Sequence, residues 1–322
     1  MRTELLNSTK NINVLEELFL KCYYIREVEE LIAREYPSQV FRCPVHLSVG
    51  QEAIAAGVCS ALTTKDKVIS THRSHAHYLA KGGNLLMFFA ELMGRVGGCC
   101  NGRGGSMHIF DKEAGFFSSV PIVGSSLPIA AGIALADLER KEGQISVAFV
   151  GDAVIESGQF HEALNIISLF KLPVMVVIED NLYSTYARKE TRQSKNLNVE
   201  KIVQGFGLGY QQGNGDDVLS VFTIATNAIK AVRENKPQVL KFDTFRLYEH
   251  CGPNRDDEVG YREVGEIEKF MNRDPLKIAK IRLENEITFS DIETKQYLIK
   301  ENINETFEKS KKLPLAGLEM MK

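Results

Sequence analysis

Residues 145–181 read ISVAFVGDAVIESGQFHEALNIISLFKLPVMVVIEDN, and they carry the clearest fold signal of the chain. Its pattern predicts a strand at 145–153, a helix at 158–170 and a second strand at 172–181. Each predicted strand holds a continuous apolar run, which is typical of strands that are covered on both faces. Strand–helix alternation with such strands predicts an α/β fold built on a doubly wound, mostly parallel sheet.

The alternation continues toward both ends of the chain. The other predicted elements are helices at 12–35, 51–62, 84–95, 122–140 and 219–235, strands at 68–71 and 239–247, and a glycine-rich loop at 97–106. From residue 262 the chain is charged and shows no further strand pattern, and two helices are predicted near 262–286 and 290–312. We expect one α/β domain at 1–261, which includes the N-terminal helix, and a C-terminal helical extension of the same domain at 262–322.

The composition argues against several classes of partner. The chain has 322 residues, a formal net charge of −3 and a pI of about 6.2, without a dominant tract of like charge, which disfavours nucleic acid and anionic membrane surfaces. Six cysteines without a C-x-x-C pair, and an N-terminus too polar for a signal peptide, indicate reduced thiols and a cytoplasmic protein. The longest apolar stretch, 120–136, contains two prolines, two glycines and two serines, so we expect no membrane span.

Polar side chains follow the two strands of the opening stretch. Gly151-Asp152 ends the first strand and Asp180-Asn181 ends the second. Ligands of parallel sheets bind beyond the carboxyl ends of the strands, and carboxylate and amide oxygens suit Mg²⁺ with a diphosphate completing its coordination. Gly151 is expected to allow a sharp turn and close approach to that ligand. The alternative is that Asp152 caps the next helix and Asn181 begins a turn.

Longer segments carry a resemblance to a known family. They are HLSVGQEA at 46–53, VISTHRSHAHYLAKGG at 68–83, ELMGRVGGCCNGRGGSMHIFD at 91–111, IVGSSLPIAAGIALA at 122–136 and GQFHEALN at 158–165. With the Gly-Asp…Asn pattern, they resemble the alpha subunit of the thiamine diphosphate-dependent first component of 2-oxo-acid dehydrogenase complexes. This is the pyruvate and acetoin dehydrogenase alpha-subunit family, and the acetoin branch looks closest. The resemblance covers roughly residues 12–275.

The resemblance implies a thiamine diphosphate site with Mg²⁺. The side chains of Asp152 and Asn181 and the backbone carbonyl of Tyr183 would bind the metal. Arg73 would hold the diphosphate together with His72, where the family often has tyrosine, and a guanidinium suits that contact. An ordinary surface ion pair is the alternative role for Arg73. Further cofactor contacts are implied for Ile122, Val123, Gly124, Gly151, Ala153, Val154 and His250.

The resemblance also implies catalytic histidines. His46 would face the substrate, and His250 would point at the reactive end of the cofactor from a mobile loop. Of the other histidines, His75 is the best catalytic candidate, ahead of His77 and His108. A histidine near neutral pKa can donate to a developing oxyanion or move a proton, although a lone histidine is more often structural.

Three positions depart from the family pattern. Ala153 replaces the glycine of Gly-Asp-Gly, which is tolerable if its φ is negative. Asp180 replaces a common asparagine and either adds negative charge near the metal or points away into a hydrogen bond. The segment 250–262, HCGPNRDDEVGYR, replaces a histidine-serine-aspartate-proline pattern and puts a lipoyl-complex role in doubt more than cofactor binding.

The resemblance implies the alpha subunit of a dehydrogenase acting on a 2-oxo acid or acetoin. Such an enzyme forms a hydroxyalkyl- or acyl-thiamine intermediate and passes it to an acceptor such as a lipoyl group. Because only one sheet domain is predicted here, the resemblance implies a separate beta subunit in an alpha-2-beta-2 assembly. A lipoyl acyltransferase is a candidate for a further partner. The glycine- and alanine-rich helix near 125–136 suits packing against that subunit or, alternatively, against its own sheet. Two other hypotheses stay open: a thiamine diphosphate-dependent carboligase or ketol transferase of a biosynthetic pathway, and a non-catalytic partner without cofactor.

Overall fold

The computed structural model describes residues 2–284 and 290–317 of the chain. The strands are β1 (Lys67–Ser70), β2 (Phe116–Ser119), β3 (Ser146–Gly151), β4 (Val174–Asp180), β5 (Tyr183–Ser184), β6 (Ala187–Arg188), β7 (Gly209–Asn214) and β8 (Gln238–Asp243). The α-helices are α1 (Arg2–Glu35), α2 (Glu52–Ser60), α3 (His75–Ala80), α4 (Leu85–Leu92), α5 (Ser126–Arg140), α6 (Gly158–Leu169), α7 (Lys189–Arg192), α8 (Val199–Gly205), α9 (Val218–Arg233), α10 (Glu266–Met271), α11 (Pro275–Glu284) and α12 (Ser290–Lys311).

Six of the strands form one parallel sheet in the order β2-β1-β3-β4-β8-β7. The remaining two, β5 and β6, form a short antiparallel hairpin beside it. The predicted α/β fold with a doubly wound parallel sheet is therefore confirmed, and all the pairings of the main sheet are parallel.

Both faces of the sheet are covered by helices. Alternate residues of β3 lie on opposite faces: Val147 and Phe149 pack with α1, α2 and α9, whereas Ala148 and Val150 pack with α5 and α6. Each of these four side chains is at most 1% exposed. A strand buried on both faces has no polar side, which explains the continuous apolar runs in the sequence.

The order of the strands places a topological switch point between β1 and β3. The chain passes from β1 to β2 on one side and then crosses back to β3 and β4 on the other. The loops that follow β1 and β3 diverge there, and this divergence leaves a crevice at the carboxyl ends of the strands.

Several predicted boundaries were wrong. The predicted helix at 262–286 is two helices, α10 and α11, because Pro275 lacks an N–H and Asp274 caps a new helix by accepting from the backbone N–H groups of Leu276 and Lys277. Residues 285 and 286 of that prediction lie outside the described residues. The helix predicted from 122 starts at Ser126, since Gly124 has a φ of +91° that no helix contains.

The N-terminal helix is longer than predicted, because α1 starts at Arg2 and not at residue 12. Strands β2 and β7 were missed. Across residues 2–284 and 290–317, none of the helices combines the length and the apolar character that crossing a lipid bilayer requires.

Candidate active site

A cleft of about 580 Å³ lies at the carboxyl ends of β1, β3 and β4. Its wall contains these residues: Gln51, Thr71, His72, Arg73, Val123, Gly124, Val150, Gly151, Asp152, Ala153, Val154, Glu179, Asn181, Tyr183, Ser184, Thr185, Arg246 and His250. Most residues predicted to bind cofactor or metal are thus brought together by the switch point. Ile122 lies beside the cleft wall and is 67% exposed.

Asp152 begins the turn after β3 and is 2% exposed. Its Oδ2 accepts a hydrogen bond from Nη2 of Arg192 at 2.6 Å. Burial raises the pKa of this carboxyl, and the negative charge of Asp180 adds to the shift. Since both disfavour the carboxylate, a cation placed beside Asp152 would stabilise its ionised form. The following helix α6 has Ser157 at its N-cap, so Asp152 does not occupy the N-cap position of that helix.

The backbone around Asp152 differs from the expectation for its glycine neighbour. Gly151 has φ −80° and ψ 166°, an extended conformation that any residue adopts, so the sharp turn does not require glycine. A Cβ built on Gly151 would meet no atom within 4 Å, which leaves open space for close approach of a ligand. Ala153 is not among the residues with positive φ, so the departure from Gly-Asp-Gly causes no backbone strain.

Asn181 follows β4 and is held from two sides. Its Oδ1 accepts from the backbone N–H of Tyr183 at 3.2 Å, and its Nδ2 donates to Oε1 of Gln51 at 2.9 Å. The turn role that the sequence left open for Asn181 is therefore present. It also aims the side chain at the same cleft as Asp152. Nε2 of Gln51 is buried and has no hydrogen-bond partner within the described part of the chain.

Asp180 is fully buried and points away into an ion-pair cluster. Lys189 donates to its Oδ2, and Nζ of Lys241 lies 2.9 Å from the same oxygen. Burial acts to raise the pKa of Asp180, but the two lysines outweigh it and hold the pKa below its usual range. The negative charge that replaces an asparagine here is thus neutralised by the chain itself.

Arg73 follows β1 and is 6% exposed. Its Nη1 donates to the Leu47 carbonyl at 2.5 Å and its Nη2 to the His250 carbonyl at 3.0 Å. Burial, followed by the charge of Arg246, lowers the pKa of Arg73 to about 9. These contacts exclude the surface ion pair that the sequence left open. They describe a cation in the cleft wall without a carboxylate partner in hydrogen-bonding contact.

Three histidines meet beside Arg73, and we call His46, His72 and His250 the histidine cluster. Their ring centroids are 4.8 Å (His46–His72), 5.1 Å (His46–His250) and 5.3 Å (His72–His250) apart. Burial and the charge of Arg73 lower their pKa values to about 2, 4 and 3, respectively. All three imidazoles are therefore neutral at pH 7.

His75 lies in the interior and not in the cleft wall. It is fully buried, its Nδ1 is 3.0 Å from Oε2 of Glu29, and its Nε2 is 2.6 Å from Oγ of Ser106. These contacts tie α1, α3 and the glycine-rich loop together. His77 is similarly buried, and Nδ1 of the exposed His108 lies 3.0 Å from the Gly104 carbonyl.

The segment after His250 is held against the body of the protein. Asp256 is fully buried and accepts from Nη2 of Arg246 at 3.2 Å and from Nε of Arg262 at 2.6 Å. The backbone N–H of Gly252 donates to the Val45 carbonyl at 2.9 Å. Segment 250–262 is thus internally paired, and these contacts fix the position of His250.

Sequence reasoning missed the roles of Gln51 and Arg246 in the cleft wall. Gln51 lies within the segment 46–53 that begins at His46, and Arg246 follows β8 at the same edge of the sheet. The sequence predicted a strand at 239–247, which hid Arg246 inside a regular element. Ending that strand at Asp243 would have exposed Arg246 as a further strand-end residue.

The chain matches known proteins over most of its length. The family model described as dehydrogenase E1 component matches residues 21–319. Pyruvate dehydrogenase E1 component subunit alpha-1, mitochondrial, of Oryza sativa subsp. japonica is 35% identical over 294 residues, which cover 90% of this chain and 74% of the relative. Pyruvate dehydrogenase E1 component subunit alpha of Rickettsia bellii is 34% identical over 298 residues, covering 92% and 90%.

These matches bear on the predictions made from the sequence. They confirm the predicted family and the predicted class of enzyme, a thiamine diphosphate-dependent oxidoreductase of the 2-oxo-acid dehydrogenase type. They fit this prediction better than the carboligase or ketol transferase. On the match over residues 21–319 and the 34–35% identity to two E1 alpha subunits, this chain belongs to the dehydrogenase E1 component family.

Proposed function

We propose that this chain is the diphosphate-binding alpha subunit of a cytoplasmic 2-oxo-acid dehydrogenase, with Mg²⁺ bound by Asp152, Asn181 and the Tyr183 carbonyl. The observation that carries the proposal is the cleft, where Asp152 and Asn181 face Arg73 across the switch point. Free thiols at all six cysteines agree with a reducing compartment. The names of the relatives make pyruvate the first substrate to test.

The cleft fits the cofactor and its metal. Mg²⁺ takes oxygen ligands and keeps positions for phosphate oxygens, which matches a carboxylate, an amide oxygen and a backbone carbonyl. Arg73 would bind the diphosphate, since its guanidinium is buried without a carboxylate in hydrogen-bonding contact. The unpartnered Nε2 of Gln51 is a further donor in this wall. Open space beside Gly151 admits the ligand to the backbone.

Thiamine diphosphate, when bound, supplies the nucleophilic carbon and the electron sink for decarboxylation. The chain contributes neutral imidazoles from the histidine cluster, which can donate a hydrogen bond to a developing oxyanion or move a proton. Burial first and the charge of Arg73 second depress their pKa values, so an anion bound beside Arg73 acts to raise them. We assign these roles to His46 and His250, and a positioning role to His75.

An exposed apolar surface next to the cleft supports assembly with a beta subunit, in an alpha-2-beta-2 arrangement. We call it the α5/α6 face, and its members are Ile122, Val123, Leu135, Ile166, Leu169 and Phe170, each between 39% and 70% exposed. Gly132 is also exposed there, with nothing within 4 Å of a built Cβ, whereas Ala130 and Ala134 of the same helix pack on the sheet. One side of α5 thus packs on its own sheet, and the exposed opposite side is available to contact a partner.

The test uses the full chain purified with its beta subunit. Calorimetry is expected to show thiamine diphosphate binding that requires Mg²⁺, and pyruvate with an artificial electron acceptor is expected to support turnover. Asp152→Asn should abolish both, while the matched control Asp257→Asn, at an exposed acidic position, should behave as wild type. Binding that is unchanged in Asp152→Asn contradicts the proposed metal site. Carbon–carbon ligation without oxidation favours the carboligase. A failure to transfer the acyl group to a lipoyl domain favours it as well.

The partner surface has its own test. Leu169→Glu on the α5/α6 face is expected to weaken co-purification of the beta subunit. Leu298→Glu, a matched change at a 59%-exposed residue of α12, is expected to leave it intact. Equal recovery of the beta subunit with both variants refutes this surface as the interface.

A further inference from the structure

The histidine cluster is formed by three separate segments of the chain. His46 precedes α2, His72 follows β1 and His250 follows β8. One ring nitrogen of each lies within 4.8 Å of the other two. Convergence of three imidazoles from distant positions is the donor set of many transition-metal sites, where neutral imidazole is the ligand.

A second observation concerns His46 itself. Its side chain is 6% exposed, and its Nδ1 has no hydrogen-bond partner among the residues that the structure describes. A buried nitrogen without a partner costs free energy, and coordination of a metal is one way to satisfy it. Tetrahedral coordination with Zn–N bonds of about 2.0–2.1 Å needs nitrogens about 3.3 Å apart, so each ring has to move by less than about 1 Å.

The surrounding charges limit which metal fits. Nη2 of Arg73 lies 3.5 Å from Nδ1 of His250, and Arg246 is a second cation of the cleft wall. Both repel a dication and lower its affinity. Mg²⁺, which prefers oxygen ligands, gains nothing from imidazoles that offsets this repulsion, whereas Zn²⁺, Co²⁺ and Ni²⁺ form strong bonds to them.

We propose that the histidine cluster is a binding site for a transition-metal dication of the zinc type, separate from the magnesium site at Asp152 and Asn181. Because His72 and His250 also line the cleft, an ion held by the cluster removes both from the cofactor. The metal and thiamine diphosphate therefore compete, and zinc acts as an inhibitor that excess cofactor relieves.

The test measures metal binding to the full chain without turnover. Co²⁺ is added to the protein purified with chelator, and the visible absorption of tetrahedral Co²⁺ is followed, with Zn²⁺ displacement giving affinity. His72→Phe is expected to weaken the site at least about tenfold. His108→Gln, at an exposed histidine outside the cluster, is expected to change nothing.

Thiol ligation must be separated from this signal. Within the described residues, the other group of metal-ligating side chains is Glu91, Cys99 and Cys100. Cys100→Ser is expected to leave the affinity unchanged. The circular dichroism spectra of His72→Phe and Cys100→Ser must match that of wild type. Given that match, equal Co²⁺ affinity in wild type and His72→Phe overturns the proposal. Loss of Co²⁺ binding in Cys100→Ser also overturns it. His46→Gln repeats the test should His72→Phe misfold.

The last part of the experiment rests on the proposed function, whereas the Co²⁺ titration does not. Prior addition of thiamine diphosphate with Mg²⁺ is expected to lower the apparent zinc affinity of the wild-type protein. Simultaneous binding of both without interference refutes the competition but not the metal site.

Discussion

Glu91 offers a stringent test of how the glycine-rich loop is held. This side chain of α4 is 1% exposed, and its two oxygens accept four backbone hydrogen bonds. Oε2 accepts from Cys100 at 2.6 Å and Gly102 at 2.9 Å, and Oε1 accepts from Gly104 at 2.6 Å and Gly105 at 3.1 Å. Glu91→Gln keeps one accepting oxygen and turns an NH₂ group toward two of the four N–H donors.

The magnitude follows from those two lost bonds. A hydrogen bond to a charged group contributes about 1.5–3 kcal/mol, so two lost bonds cost about 3–6 kcal/mol. Burial of a neutral amide is less costly than burial of a carboxylate, which offsets part of this, and we expect a loss of about 3 kcal/mol. Typical domains are stable by about 5–15 kcal/mol, so the effect is large.

Urea unfolding followed by circular dichroism measures the change, and hydrogen exchange of the four amides locates it. The control is Glu113→Gln, at an exposed glutamate near the same loop, which should stay within about 0.5 kcal/mol of wild type. A loss below about 1 kcal/mol for Glu91→Gln, or unchanged protection of the four amides, refutes the reasoning.

Three further predictions concern stability. The pKa values of the histidine cluster are depressed in the folded protein, so the unfolded chain takes up protons first as the pH falls. The free energy of unfolding is therefore full above about pH 6.5 and falls progressively from there until the pH is below the folded-state values of about 4, 3 and 2. His72→Phe should make this fall shallower in urea titrations at several pH values. Gly50→Ala should destabilise the protein more than Gly143→Ala in thermal unfolding. Both glycines have positive φ (+97° and +72°), but only at Gly50 would the new Cβ lie 2.5 Å from a backbone oxygen, that of Phe245. Backbone strain alone costs about 1–2 kcal/mol at either position, and equal losses of stability would contradict this prediction. Asp180→Asn should lower the free energy of unfolding in urea by about 3–5 kcal/mol, since it leaves Lys189 and Lys241 without their buried carboxylate partner. A change under about 1 kcal/mol argues against a structural role for the Asp180 charge.

The sequence predicted the part of the fold that depends on local pattern. Continuous apolar runs identified β3 and β4, and the rule that parallel strands end at one edge placed Asp152 near Asn181. Strand β7 was not predicted because its residues, GYQQGN, contain no apolar run. A strand at the edge of the sheet is half-exposed and does not need an apolar run. Strand β2 is likewise at an edge, with Phe117 48% exposed.

The parts of the site that the sequence left open depend on tertiary contacts. The direction of Asp180 is decided by Lys189 and by Lys241, which is 61 positions away and reaches it only through the pairing of β4 with β8. The interior position of His75 depends on Glu29, which α1 brings from 46 positions away. No local motif encodes such partners, so a histidine flanked by family-like residues was predicted to be catalytic.

Val123 belongs both to the cleft wall and to the α5/α6 face, with half of its surface exposed. On the proposed assembly, a ligand in the cleft and a partner on that face would both contact Val123. Any coupling between their binding free energies would be reciprocal: the factor by which the partner multiplies cofactor affinity is the factor by which the cofactor multiplies partner affinity. With favourable coupling, the dissociation constant for the cofactor would vary with subunit concentration, and dilution of the assembly would lower cofactor occupancy even at constant cofactor.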